Sequence, residues 1–474
     1  MIDTRDLLSK EKSIVIAPAG YGKTHLIVDC LKESEKKQLI LTHTHAGVAA
    51  IKERIKKAKI ESYKYHVETI TSFSQKYVLA FYQGEDLPKQ EDSKDYYPFV
   101  VVKCSELLKI DIISRVFKRT YSGLFVDEYQ DCTINQHELI KTLSNHLPTR
   151  LFGDPLQGIF DFGGTQIVNL EDETEFGEFY KNKHVLTIPW RWKGTNEPLG
   201  CELDLIRKEL VEGKNIDISQ LSQIESREYN PSNLYDSTYN FSSLIYSLLS
   251  ERSLLIIHPE SSNIHARINF NKAFKNQFYL LESIDGRDFY KEASELDSLD
   301  INSFFPVLKS LSEKLFNKTV ISNWFNETGA KNKRREEDKV HSEKLKAILD
   351  DLKTGISTPK LKTFFEIVAE LPGISIKRKD LLSSLIKAME DASLNKTSIY
   401  DSMITYRNRI RVIGRKVIGK CIGTTLLTKG LEFDCVVVLK ANHFKCKKNF
   451  YVAISRACKK LVLCYDNNNI TFEK

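Results

Sequence analysis

The sequence predicts an α/β protein with parallel sheets, and three observations carry that prediction. Short apolar runs alternate with amphipathic helical stretches through the first half, the pattern of a parallel sheet covered on both faces. A glycine-rich turn joins the first apolar run to the first helix. Strand character lapses between about residues 286 and 411 and then returns, which reads as a helical insertion into a second α/β domain.

The elements follow in order. Residues 13–17 form a strand, a glycine turn follows, and a helix runs from Lys23 to about Glu33. Residues 38–42 are the next strand and 46–57 the next helix. Residues 123–126 form a buried strand that ends in acids. Thr133, with Gln136 three residues on, has the spacing of a capping box, and 150–153 is a further strand. A second strand–helix series opens near Val185 and includes 254–257. Helices are expected at 343–352, 358–371 and 380–392, with a solvated loop at 331–339. Strands return at 436–439 and 461–465. The implied division is 1–183, with a short insert at about 84–118; 184–285 together with 412–474; and the basic helical insertion 286–411.

Bulk properties narrow the class. With 474 residues, two or three domains are expected. No apolar run reaches the eighteen residues of a membrane span, and the polar stretch 1–12 lacks the apolar core of a signal peptide, so a cytoplasmic protein is expected. Nine cysteines without a single Cys-x-x-Cys point to reduced thiols rather than a zinc or iron–sulfur site. The net charge is +7, yet residues 331–420 alone hold 21 Lys/Arg against 12 Asp/Glu. The positive excess is therefore local. That segment could meet duplex DNA, a protein partner or only solvent.

Two motifs carry chemistry. Ala17-Pro18-Ala19-Gly20-Tyr21-Gly22-Lys23-Thr24 follows a strand, opens a helix and fits G-x-x-x-x-G-K-[ST] with alanine first. Glycines there let backbone N–H groups close on an anionic phosphate at a helix N-terminus. Lys23 would reach the β- and γ-phosphates, and the Thr24 hydroxyl would bind Mg²⁺. Leu124-Phe125-Val126-Asp127-Glu128 sets two carboxylates at the carboxyl end of a strand, where such sheets bind ligands. Asp127 would hold Mg²⁺ and Glu128 would take a proton from the attacking water. The plain alternative, capping of the next helix, is assigned to Asp131 and Thr133.

With further fragments in order, the sequence resembles the UvrD/Rep-like branch of superfamily 1 helicases: Leu41 to Ala46, Thr69 to Phe73, Gly153 to Phe162, Pro189-Trp190-Arg191, Thr424 to Phe433 and Tyr451 to Ala457. The resemblance implies two RecA-like P-loop NTPase domains, the second carrying a helical insertion, and an ATP-dependent motor on single-stranded or tailed DNA, with 3′ to 5′ movement. Gln157 would sense the γ-phosphate, and Arg191 and Arg456 would be arginine fingers. Trp190 would stack on adenine or pack in the core; Gly430 and Glu432 would border the ribose. Thr44, Thr71, Phe73, Phe160, Phe162 and Thr424 would face nucleic acid, with core packing the rival reading for Phe160 and Phe162.

Four departures stand out. No glutamine precedes Ser13 to read adenine, Leu426 replaces a histidine, Gly163 an arginine and His43 an aromatic. Hydrolysis residues are thus better matched than nucleic-acid residues, and an ATP-gated sensor of DNA ends stays open beside the motor. The small size and layout resemble the helicase-like subunits of Gabija anti-phage systems, which implies a nuclease partner of the OLD family and a role in defence.

Overall fold

The computed structural model describes residues 2–88, 93–159, 166–229, 240–259, 264–282, 287–413 and 419–473. Its strands make two six-stranded parallel sheets and a small antiparallel pair, Ile216–Asp217 with Asn469–Ile470, the α/β class predicted. The described residues fall into two compact units. The first takes those of Met1–Tyr229, Val412–Lys416 and Thr428–Lys474, and the second those of Asn230–Arg411 and Val417–Leu427.

The first unit is built on β1 (Lys12–Ile16), β2 (Gln38–Thr42), β3 (Tyr65–Thr69), β4 (Gly123–Val126), β5 (Thr149–Gly153) and β6 (Lys183–Val185), in the order β3-β2-β4-β5-β1-β6. Because successive side chains point to opposite faces, the central strands β1, β2, β4 and β5 feed two cores. Val15, Ile40, Phe125 and Phe152 pack with Leu26, Ile27 and Leu31 of helix Lys23–Glu33 and with Ile51 and Ile55 of helix His45–Lys57. Ile14, Leu39, Leu41, Leu124 and Leu151 face the other way, against Phe73, Val100, Cys104, Phe117 and Leu139. Burial on both faces is why β1, β2, β4 and β5 read as continuous apolar runs. The same unit holds a parallel ladder of Phe433–Val438, Ala457–Tyr465 and Glu225–Glu228, with the buried helix Lys447–Ile454 between the first two.

The second unit pairs Leu254–Ile257, Lys420–Gly423 and Tyr279–Leu280 in parallel. The helical insertion leaves after Tyr279–Leu280 and rejoins at Lys420–Gly423, its immediate neighbour. Its helices close on their own apolar core, which includes Phe289, Leu308, Trp324, Leu349, Phe364 and Leu385. Arg407, 1% exposed, lies 3.8 Å over the Phe289 ring.

Most elements fall where the sequence places them, with two corrections. Val185, expected to open the second strand–helix series, belongs to β6, which pairs with β1 and closes the first sheet; three residues carry no period that could assign them to either sheet. The end of the expected 331–339 loop is helical, since helix Glu336–Thr354 begins with Glu336, Glu337 and Asp338 in its first turn. Acids there favour the positive end of the helix dipole.

Candidate active site

Functional side chains of the first unit gather at the carboxyl ends of β1, β4 and β5. After β1 the chain turns through Gly20 (φ +80°) and Gly22 (φ +89°) into helix Lys23–Glu33. A side chain at either glycine would be strained and would collide. A Cβ on Gly20 would come within 2.8 Å of the Arg191 Cβ and 2.9 Å of the Trp192 ring; one on Gly22 would meet Trp190 at 2.9 Å. The Arg191 N–H donates to the Gly20 carbonyl at 2.9 Å, and the Ala19 N–H donates to the Tyr451 hydroxyl at 3.2 Å. The Tyr21 hydroxyl donates to Asp204 at 2.6 Å.

Beyond β4, Asp127 is buried and Glu128 takes a left-handed backbone, φ 56°, ψ 42°. For a residue with a Cβ this conformation costs about 1–3 kcal/mol and survives where the surroundings over-determine it. Here the carboxylate is fixed by the Lys23 ammonium, 2.8 Å from Glu128 and 3.3 Å from Asp127, and by the Gln130 amide, which donates at 2.6 Å. Burial opposes ionisation of Glu128, but Lys23 and then Lys429 override it and hold its pKa at about 2. For Asp127 burial prevails over Lys23, and its carboxyl is shifted upward. Burial likewise opposes the Lys23 charge, yet the two carboxylates win and raise its pKa.

Gln157, in the turn after β5, donates through Nε2 to Asp154 at 3.0 Å and takes Arg456 Nη2 on Oε1 at 3.4 Å. Arg456 is 2% exposed; its other donors reach the carbonyls of Val452 and Leu431 and the Ser455 hydroxyl. Burial and the neighbouring Arg191 bring its pKa to about 10. Arg191 donates to the Ser455 carbonyl and, at 2.7 Å, to Glu432. Burial works to raise the Glu432 pKa, but Arg191 and Arg54 hold it low. Gly430, two residues earlier, is left-handed at φ +81°.

Trp190 is 40% exposed, with its edge on Gly22 and the Lys193 ammonium 4.5 Å from its ring centre. The core reading of this side chain therefore fails; Trp192, 2% exposed with its indole N–H on the Ala457 carbonyl, does the packing. Thr24 stands in the first turn of the helix after Lys23. Its hydroxyl and Asp127 are hard oxygen donors, and among the described residues no cluster of three His, Cys, Asp or Glu could hold a metal by itself. One carboxylate, one hydroxyl and phosphate oxygens suit Mg²⁺, which keeps much of its water.

The residues expected on nucleic acid are not gathered in this way. Thr44 caps helix His45–Lys57, its hydroxyl accepting the Gly47 N–H at 3.0 Å. Thr71 lies half-buried in the first turn of helix Ile70–Phe81. Phe73 is a correction: its ring is 1% exposed, packed on Tyr77 and Phe117, and offers no face to a base. Thr424, in the second unit, is 3% exposed. Phe160, Phe162 and Gly163 lie outside the described residues. His43 is held neutral, its pKa lowered to about 4 by burial and by Lys429.

Asp131 is a further correction. Thr133 and Gln136 form the predicted capping box, but Asp131 does not cap; it receives Lys429 at 2.6 Å, and the same ammonium reaches the Gln157 carbonyl. Burial lifts the Asp131 carboxyl to about 7 and lowers Lys429.

An AAA domain family matches residues 4–163, the stretch that carries the phosphate loop, the acidic strand end and Gln157. The chain is 28% identical over 130 residues to the RecBCD enzyme subunit RecB of Buchnera aphidicola subsp. Schizaphis graminum, covering 25% of this chain and 11% of that one. It is 27% identical over 162 residues to an ATP-dependent helicase/nuclease subunit of Lactococcus lactis subsp. lactis, covering 33% and 13%. Over these stretches the chain is similar to proteins named as subunits of helicase and nuclease enzymes. With Gabija protein GajB of Bacillus cereus it shares 32% identity over 83 residues, 16% of this chain and 17% of that one. It spans only a small part of the length of each of these relatives.

Sequence reasoning missed Asp154, Arg207, Tyr451, Lys429 and the Tyr21–Asp204 contact. Apart from the bonds of Asp154 to Leu156 and Gln157, each meets its partner across a long stretch of chain, so no local spacing could announce it.

Proposed function

We propose that the protein is an ATP-dependent motor that binds single-stranded DNA and hydrolyses ATP with Mg²⁺. One observation carries the reading: Lys23 bridges Asp127 and Glu128 beside the same turns that bear Gln157, Arg456 and Arg191. Cation, carboxylates and guanidinium groups are the parts phosphoryl transfer uses. A triphosphate would draw Lys23 from the carboxylates toward its β- and γ-oxygens, leaving Glu128 to accept a proton from water. That water oxygen would bond the γ-phosphorus as its bond to the β–γ bridging oxygen breaks, giving ADP and phosphate. Arg456 and Arg191 would stabilise the charge that builds on the γ-phosphoryl oxygens. Mg²⁺ on Thr24 and Asp127 would supply further neutralisation. Trp190 would stack on the base, with Glu432 and Gly430 beside the ribose.

Movement from 3′ to 5′, and work beside a nuclease in phage defence, are the finer parts of the proposal. Support comes from one relative whose name joins a helicase to a nuclease and another named as a Gabija protein. The OLD-family partner and the division into two RecA-like domains belong to the same reading. The buried Phe73 and Thr424 favour a second reading, an ATP-gated sensor of DNA ends that does not unwind.

Steady-state hydrolysis with and without single-stranded DNA tests the first step. Lys23→Ala and Glu128→Gln should each lower the rate by at least about a hundredfold. A Glu128→Gln protein as fast as wild type would refute it. Strand displacement on tailed duplexes decides the rest: a motor unwinds with ATP, whereas a sensor shows DNA-stimulated hydrolysis alone.

A further inference from the structure

We propose that Arg207, on helix Glu197–Val211, is a positioning residue for hydrolysis: through Asp154 it sets which end of the Gln157 carboxamide faces Arg456. The inference rests on the hydrolytic reading above and goes beyond it.

Asp154 has no exposed surface. Its carboxylate takes Arg207 Nη2 at 3.1 Å, Gln157 Nε2 at 3.0 Å and the Leu156 N–H at 3.2 Å. An ionised carboxylate only accepts, so the glutamine must turn its NH₂ inward. Its oxygen is thereby left for the Arg456 guanidinium at 3.4 Å. A flipped amide would set oxygen against carboxylate and NH₂ against guanidinium, losing both bonds. Asp154 is fully buried, and a buried carboxylate needs a bonded cation to offset its lost hydration. Arg207 is that cation.

Its own helix is fixed on the same face. Asp204, three residues earlier and so adjacent on the helix surface, takes the Tyr21 hydroxyl at 2.6 Å and Lys208 at 2.9 Å. The Arg207 guanidinium lies 6.0 Å from the Tyr451 ring, whose hydroxyl takes the Ala19 N–H. One helical turn thus braces the phosphate loop through Asp204 and the γ-phosphate sensor through Arg207.

The test is steady-state ATP hydrolysis by wild type, Arg207→Met, Gln157→Ala and the double variant, each with a melting curve to confirm folding. Misplacing a group near the chemistry costs on the order of a hundredfold, so Arg207→Met should lose about that much in kcat, with KM for ATP changing less than about threefold. If Arg207 acts through Gln157, the double variant is no slower than Gln157→Ala alone. Arg207→Lys, which keeps the charge, should recover part of the rate. Should Arg207→Met fail to fold, Arg207→Gln takes its place with the same outcomes. An active wild type with the Arg207 variant at equal kcat overturns the proposal alone, as does a double variant whose loss is the product of the two single losses. A wild type that hydrolyses no triphosphate, with or without DNA, overturns the hydrolytic reading and this proposal together.

Discussion

Replacing Lys429 by methionine should produce a stability loss that acid partly repairs. The ammonium lies 2.6 Å from Asp131, and the two side chains are 7% and 1% exposed. Methionine keeps the apolar stem but strands the carboxylate. Breaking a buried pair in this way costs about 3–5 kcal/mol. The escape is protonation: with the unfolded carboxyl titrating near 3.9, neutralising it at pH 7.5 costs about 5 kcal/mol, against only about 2 kcal/mol at pH 5.5. The penalty is therefore capped near 5 kcal/mol at the higher pH; because the wild-type carboxyl already titrates at about 7, both proteins gain stability from protonation at the lower pH, and the penalty shrinks by about 1 kcal/mol. The sign follows from linkage. In the variant the folded carboxyl has the higher pKa, so the folded state binds the extra proton and stability falls as pH rises between about 4 and that raised value. At 2–4 °C per kcal/mol, melting should drop by about 6–20 °C at pH 7.5. Thermal denaturation at pH 7.5 and 5.5, with wild type and Lys429→Met/Asp131→Asn alongside, reads this out. The double variant should regain most of the loss and show no pH-dependent repair. A Lys429→Met protein melting within about 2 °C of wild type at pH 7.5, or equally destabilised at both pH values, would refute the reasoning.

Gly20→Ala should weaken ATP binding at least about tenfold by equilibrium titration and cost about 2–4 kcal/mol in stability, because its Cβ meets backbone-proximal atoms of Arg191 and the buried Trp192 ring. Trp190→Ala should leave melting within about 3 °C, since the ring is 40% exposed, yet raise the ATP dissociation constant by about three- to tenfold; an unchanged affinity would remove the stacking role.

What could be read in the sequence and what could not divides by distance along the chain. The phosphate loop, Asp127-Glu128 and the Thr133–Gln136 box are contiguous, and each carries its chemistry in its own spacing. β1, β2, β4 and β5 were legible because burial on both faces leaves an unbroken apolar run. Asp131 could not be assigned, because its partner Lys429 lies 298 residues away and the carboxylate looks locally like a helix cap. Phe73 was misplaced for the converse reason: motif position suggests a base-facing ring, while tertiary packing on Tyr77 and Phe117 decides its surroundings. Arg207 sits on an ordinary amphipathic helix, where nothing in the 3.6-residue period separates a brace from a solvated charge.

The insertion between Tyr279–Leu280 and Lys420–Gly423 has a consequence for anyone who would trim or transplant it. These strands are neighbours yet run the same way, so the chain leaves at one end of the sheet and must re-enter at the other. A hairpin cannot make that return; parallel neighbours need a crossover of a dozen residues or more. The helical body is therefore also the return path of its own sheet. A graft that removed it whole would have to leave a bridge behind, whereas exchanging its outer helices would leave the strands undisturbed.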